Sequence, residues 1–237
     1  MKRQDFPLDQ ILTQLLEIGR KGMGGAVEME FAIDFSADKK NLPVFAILQL
    51  RPSPQVHGQK VVSIDRQDLQ KAICTSETAL GNGRFEDIED IVYVDPEAFE
   101  PSKTLEIAQH IGKIGRSLQR DRRKYMLIGP GRWGSADPFL GIPVRWEDIS
   151  GAGIIIETAS EKMRATPSQG SHFFHNIIAR GIGFITIKPS DGDKISWEWL
   201  NSLPEISKTA FVRHVRATPA PVIKIDGKTS RAVIHEQ

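Results

Sequence analysis

The stretch Lys124–Gly131, KYMLIGPG, is apolar without alternation and then breaks into glycine, proline and glycine. An unbroken apolar run closed by turn residues reads as a strand buried on both faces, running into a glycine turn. On its amino side, residues 101–119 (PSKTLEIAQHIGKIGRSLQ) repeat apolar positions at helical spacing, with Ser102 or Thr104 as possible N-caps. Before that helix, DIVYV at 90–94 is a short strand. After KYMLIGPG come GAGIIIETA at 151–159, a strand; SHFFHNIIARG at 171–181, a helix closed by Gly181; and IGFITIK at 182–188, a strand. Apolar strands separated by helices predict an α/β layer architecture. The last two apolar runs flank Asp226-Gly227, the signature of a hairpin.

Toward the amino terminus the pattern changes. Ile11, Leu12, Leu15, Leu16 and Ile18 fall on one helical face, with Gly22 available as a stop. Val27, Met29, Phe31 and Ile33 then alternate with Glu28, Glu30 and Asp34, a period-2 strand with one acidic face. A turn (KKNLP) leads into a second strand, VFAILQLRP at 44–52. An antiparallel pairing of the two brings Glu30 near Gln49. SPQVHGQ at 53–59 reads as a linker, so the expected division is a small domain at 1–55 and a larger one at 56–237.

Composition narrows the class. The chain has 237 residues, 40% of them hydrophobic and 26% charged, which is ordinary for a globular protein. A net charge of +1 gives no global field to draw in nucleic acid or a membrane surface. The one basic run, RDRRK at 120–124, is expected to be a solvated helix end. Cys74 is the only cysteine, which excludes an internal disulfide framework and a multi-cysteine zinc site and fits a reducing, cytoplasmic setting. No apolar run approaches the ~20 residues of a membrane span.

Three groups of residues bear possible chemistry. Glu30 and Gln49 offer a carboxylate and an amide oxygen for Mg²⁺, with Arg51 close enough to neutralise phosphate; the same residues also suit the polar outer face of a surface strand pair. Gly129, Gly131 and Gly134 supply a loop whose N–H groups are expected to face an anion, with Arg132 to pair with it and Trp133 to cover it. The spacing is neither a dinucleotide fingerprint nor a P-loop, and a plain glycine turn with Trp133 and Trp146 in the core is the alternative. In PSQGSHFFHN at 167–176, Ser171 and His172 open a helix, where unsatisfied N–H groups stabilise phosphate oxygens and a neutral imidazole can accept a phosphoryl group. A helix-cap histidine bonded to a neighbouring loop is the other reading of His172. His175, one turn on, reads as a packing residue. Gly131, Arg132 and Ser171 are expected to lie close together at one sheet edge.

Some of these motifs resemble a known family. EMEFAID followed by VFAILQLRP resembles the closing strands of the ATP-grasp domain of phosphoenolpyruvate synthase and pyruvate, phosphate dikinase. The likeness spans about the first 52 residues and implies that Glu30 and Gln49 bind metal and that Arg51 faces phosphate. Directly after the Arg-Pro that ends its ATP-grasp domain, the family places a swivelling phosphohistidine domain of β/β/α type. GAGIIIETA and SQGSHFFHNIIARGIGFITI follow in the same order here, which implies that His172 accepts phosphate. The departures are a helix two residues longer, Phe173-Phe174 beside the histidine, the loss of one motif glycine and the threonine, and a GPGRWGS segment without a counterpart. DIVYV, GPGRWGS and SQGSHFFHN together are similar to the C-terminal region of bacterial dikinase-like and synthase-like proteins. The resemblance implies the C-terminal portion of an ATP-dependent phosphotransferase, with ATP and Mg²⁺ as cofactors and an upstream ATP-grasp part as partner. It also implies a nucleotide or phosphorylated small molecule as ligand. A non-catalytic, anion-binding regulatory module is the alternative.

Overall fold

The computed structural model describes residues 6–23, 27–35, 43–52, 62–135, 137, 139–163, 177 and 181–237. The chain divides into two compact units, 1–57 and 58–237. The linker expected at 53–59 lies outside the described residues.

In the first unit, helix α1 (Leu8–Met23) is followed by strands β1 (Val27–Asp34) and β2 (Val44–Pro52). Gly22 stands inside the last turn of α1 and does not stop it. The strands form an antiparallel pair with a bulge between Glu30 and Phe31, and Phe31 stacks on Phe45 with ring centroids 5.0 Å apart. A two-stranded sheet with a single helix buries little, and Leu48 and Phe35 remain largely exposed.

In the second unit the chain passes through α2 (Arg66–Gln70), β3 (Ala72–Ser76), β4 (Thr78–Leu80), β5 (Gly83–Phe85) and β6 (Asp90–Val94). Helix α3 (Thr104–Arg120) leads to β7 (Tyr125–Pro130), the short β8 (Arg132–Trp133) and β9 (Gly141–Ile142), then α4 (Trp146–Ile149) and β10 (Ala152–Thr158). After β11 (Gly183–Ile187) come β12 (Lys194–Ile195), α5 (Trp197–Ser202), β13 (Glu205–Lys208), β14 (Val212–Arg216), β15 (Val222–Asp226) and β16 (Arg231–His235). One sheet has seven strands in the order β13-β14-β6-β7-β10-β11-β4, and a second has five in the order β12-β3-β16-β15-β5. Strands β6, β7, β10 and β11 are mutually parallel and lie side by side in the order in which they occur along the chain. The hairpin expected around Asp226-Gly227 is the β15–β16 pair.

The alternation of side chains along each parallel strand explains the layers. Val92, Val94, Tyr125, Leu127, Ile155 and Phe184 form one core with Ile107, Ile111 and Leu118 of α3, Ile149 of α4 and Ile177. Ile91, Tyr93, Met126, Ile128, Ile154, Ile156 and Ile185 point the other way, onto Ile223, Ile225 and Ile234 of the five-stranded sheet. The unit is thus a helix layer, a mixed sheet and an antiparallel sheet. Both faces of the central sheet are covered, which is why its strands are apolar throughout rather than alternating.

Helix α3 begins differently from the expectation. A 3-10 turn at Pro101–Lys103 precedes it, its N-cap is Lys103, and no side chain caps it. The Thr104 hydroxyl instead donates back to the Pro101 carbonyl at 3.2 Å. Farther along, a Cβ at Gly115 would lie 2.2 Å from the Asp148 carbonyl oxygen, so α4 sits directly against the α3 backbone there. Arg116 pairs with the Asp148 carboxylate across the same contact. Among the described residues, no helix is long and apolar enough to cross a membrane.

Candidate functional site

At the carboxyl ends of the parallel strands, one row of residues on the helix side departs from the apolar pattern. Gly129 of β7, Glu157 of β10 and Thr186 of β11 are in register across three neighbouring strands. Gly129 leaves the space that the Trp133 indole fills: a Cβ there would come within 2.6 Å of the ring. The indole Nε1 donates to the Ile156 carbonyl at 3.2 Å, and the Trp133 backbone N–H donates to the Glu157 carboxylate at 3.1 Å. Glu157 is 3% exposed, and Thr186 beside it is equally buried, with no hydrogen-bond partner for its Oγ1.

The glycine loop after β7 is built by these contacts. Gly131 has φ +68°, and a Cβ there would collide with Met163 Sδ and approach the Leu140 carbonyl oxygen to 2.8 Å. The loop's donors do not face an open anion site. Gly131 N–H bonds to the Thr158 carbonyl at 3.1 Å, Arg132 N–H to Leu140 at 2.9 Å and Gly134 N–H to Ile142 at 2.8 Å. Together with the Trp133 bond, this turns the expected phosphate cradle into a bracket between β7, β9 and β10. Trp133 is a core aromatic, as the alternative reading had it, and does not cover a ligand; Trp146 is half-buried against the same core. The Arg132 side chain is half-buried.

Neighbouring loops at this edge are tied together as well. Lys162 Nζ, just beyond β10, donates to the carbonyls of Glu97 (3.2 Å) and Phe99 (2.9 Å) in the loop after β6. Asp193, 5% exposed, accepts from Lys188 N–H at 2.8 Å and Glu77 N–H at 2.9 Å, joining the loop after β11 to the β3–β4 turn. The edge is therefore a rigid rim around a buried carboxylate and a buried hydroxyl. Such a pair can accept and relay a hydrogen bond from a group placed above it.

Ser171, His172 and His175 lie outside the described residues, and so does the expected proximity of Ser171 to Gly131 and Arg132. The ends of their segment are described. The chain leaves β10 at this rim, Ile177 is helical and fully buried, and Ile182 N–H bonds to the Ile177 carbonyl at 3.1 Å around Gly181, which has φ +68°. That is the closure of a helix by a left-handed glycine.

In the first unit, Glu30 is directly opposite Gln49, both are exposed, and Arg51 is opposite Glu28 in the same ladder. The structure thus brings Glu30 and Gln49 together. They fit the protein's share of a magnesium site, since Mg²⁺ takes one or two protein oxygens and completes its shell with phosphate and water. Among the described residues, no group of three or more His, Cys, Asp and Glu gathers to hold a metal.

The opposite edge of the central sheet carries a cluster that the sequence reading did not single out. Asp90, at the start of β6, is 0% exposed and accepts from Arg123, from His214 at 2.8 Å and from Arg216 at 3.0 Å. Burial alone would raise its pKa; the hydrogen bonds from Arg123, His214 and Arg216 outweigh it and hold the carboxyl below its ordinary value. Its signal was an acid heading an otherwise apolar run, DIVYV, and Glu157 gives the same signal at the end of AGIIIET.

No family model, curated protein or solved structure matches this chain.

Proposed function

We propose that the chain is the phosphoryl-carrying C-terminal portion of an ATP-dependent phosphotransferase of dikinase or synthase type, with His172 as the carrier. One observation carries this reading. The chain leaves the carboxyl edge of the parallel strands after Thr158, with Ser171 and His172 following 13 and 14 residues later in the sequence, and that edge is where parallel α/β sheets gather their ligands. The helix, mixed-sheet and antiparallel-sheet layers are compatible with a swivelling β/β/α domain. The Glu30–Gln49 register is compatible with the closing strands of an ATP-grasp domain.

In this reading ATP supplies the phosphoryl group. The neutral imidazole of His172 attacks phosphorus, a P–N bond forms as the P–O bond to the nucleotide breaks, and the departing oxygen keeps the electron pair. N–H groups at the opening of the helix that the sequence predicts from residue 171 would hold the phosphoryl oxygens. Transfer to the acceptor reverses these bond changes. Glu30 and Gln49 would hold the magnesium that accompanies the nucleotide and screens its phosphate charge.

The test is phosphoenzyme formation by the full-length protein with labelled ATP and Mg²⁺. Acid-labile, base-stable label is expected; His172→Ala abolishes it and His175→Gln retains it. Label that persists in His172→Ala, or wild type that never labels, removes the carrier assignment.

A further inference from the structure

We propose a second ligand site at the amino edge of the central sheet, where a cleft built around Arg122 takes a phosphate ester with an apolar or aromatic body. The cleft has a volume of about 510 Å³, within the ~300–1,000 Å³ of small-molecule sites, and its walls include Phe85, Gln119, Arg122, Lys124, Gly151 and Gly181. It lies across the sheet from the Glu157 rim, because Gly151 precedes β10 and Gly181 precedes β11.

Arg122 is what points to a ligand. Helix α3 closes with Arg122 N–H bonded to the Gln119 carbonyl at 3.1 Å and Arg123 N–H bonded to Leu118 at 2.9 Å. This double closure requires a left-handed residue at its pivot, and glycine is the residue that takes the conformation without cost. Here the pivot is an arginine with φ +56°. The only other described non-glycine at positive φ is Ser230, whereas Gly81, Gly131, Gly134, Gly181 and Gly192 hold the remaining such positions. The helix would close better with glycine, so the side chain serves something other than the closure. Backbone strain retained at the mouth of a cleft is a functional signal.

The charges around the cleft are unequal in availability. The Arg123 guanidinium is committed to Asp90 and Glu89. Among the described residues Lys124 reaches only Asp87, at 3.3 Å, with both side chains more than half exposed, a pairing that an incoming anion displaces readily. Arg122 has no acidic partner among the described residues. A guanidinium fork and an ammonium over one cleft match a phosphate dianion. Phe85, half-buried, adds an apolar wall for the body of the ester. The RDRRK run is therefore more than a solvated helix end: Arg123 belongs to the fold, and Arg122 and Lys124 to the ligand.

Phenyl phosphate is the probe, titrated against the protein by NMR with inorganic phosphate and phenol as comparisons. The expected result is saturable binding with Kd of about 1 mM or tighter. The amide signals of Gly151, Gly153 and Gly181 shift, and affinity falls as ionic strength rises. Inorganic phosphate binds more weakly and phenol does not saturate. Arg122→Gly keeps the thermal midpoint of wild type or raises it while losing about tenfold in affinity, and Lys124→Gln, at an exposed position, loses severalfold. Absence of saturable binding, affinity retained in both variants, or shifts confined to residues away from the cleft overturn the site. Inorganic phosphate binding as tightly as phenyl phosphate overturns the assignment of an ester with an apolar body.

Discussion

Gly131 and Gly181 share a φ of +68° and differ in their described surroundings: at Gly131 a Cβ meets Met163 and the Leu140 carbonyl, while at Gly181 it meets nothing within 4 Å among the described residues. Substituting alanine separates the two costs of losing a glycine. Gly181→Ala is expected to cost ~1–2 kcal/mol, the left-handed conformation alone. Gly131→Ala adds overpacking of about 1–3 kcal/mol, for a total of roughly 2–5 kcal/mol. Urea unfolding of both variants measures this, and equal losses would show that the bracket after β7 yields freely. At this scale the sequence was readable in part. GPGRWG announced a glycine turn, but the partners of its N–H groups, Thr158, Leu140, Glu157 and Ile142, are 8 to 27 residues away, and no local pattern names them. Glu157 and Thr186 were hidden for a related reason: their meaning depends on register with Gly129, a property of neighbouring strands.

Elements were legible where burial is uniform. β6, β7, β10 and β11 are apolar runs because both of their faces are covered, and α3 buries Ile107, Ile111 and Leu118 at helical spacing. β3, β5, β12 and β13 were not read, since they are short and mostly half-exposed or exposed, and pairing to distant partners makes them strands. The start of α3 was misread because Ser102 and Thr104 sit in and just after a 3-10 turn that the proline begins. What joins elements at the amino edge is Asp90, which links β6 to β14 and to the turn that precedes β7. Asp90→Asn is expected to cost about 3 kcal/mol at neutral pH, the low end for breaking a buried ion pair because Arg123 and Arg216 are about a third exposed and partly screened. The folded pKa is depressed, so this stability is full above the unfolded value of about 3.9 and is lost as pH falls through the folded value. Urea unfolding at neutral pH and near pH 3 should show the gap between wild type and variant narrowing in acid. A constant gap would assign the role of Asp90 to shape rather than charge.

At the scale of the whole molecule, the unit 58–237 holds two cores, one on each side of a single sheet, and is expected to fold alone. A 58–237 fragment should unfold cooperatively with a midpoint close to that of the full chain; a broad, non-cooperative transition would mean that residues 1–57 complete its core. Charge, cysteine content and layer class were readable from composition and alternation. The order of strands was not, because the sequence does not say that β14 joins β6 or that β16 lies between β3 and β15.

The position of β16 has a consequence for biosynthesis. It is the middle strand of the five-stranded sheet, yet it follows every other strand of that sheet in the chain. As the polypeptide emerges from the ribosome, the parallel strands can assemble one after another, while the edge of β3 that faces the middle of its sheet must wait for residues at least 156 positions later, the distance from Ser76 to Ala232. Until then Ile154, Ile156 and Ile185 lack the part of their cover that Ala232 and Ile234 supply, so the nascent chain carries a partly open apolar face. A chain whose synthesis stops before Arg231 leaves that sheet divided into β12-β3 on one side and β15-β5 on the other.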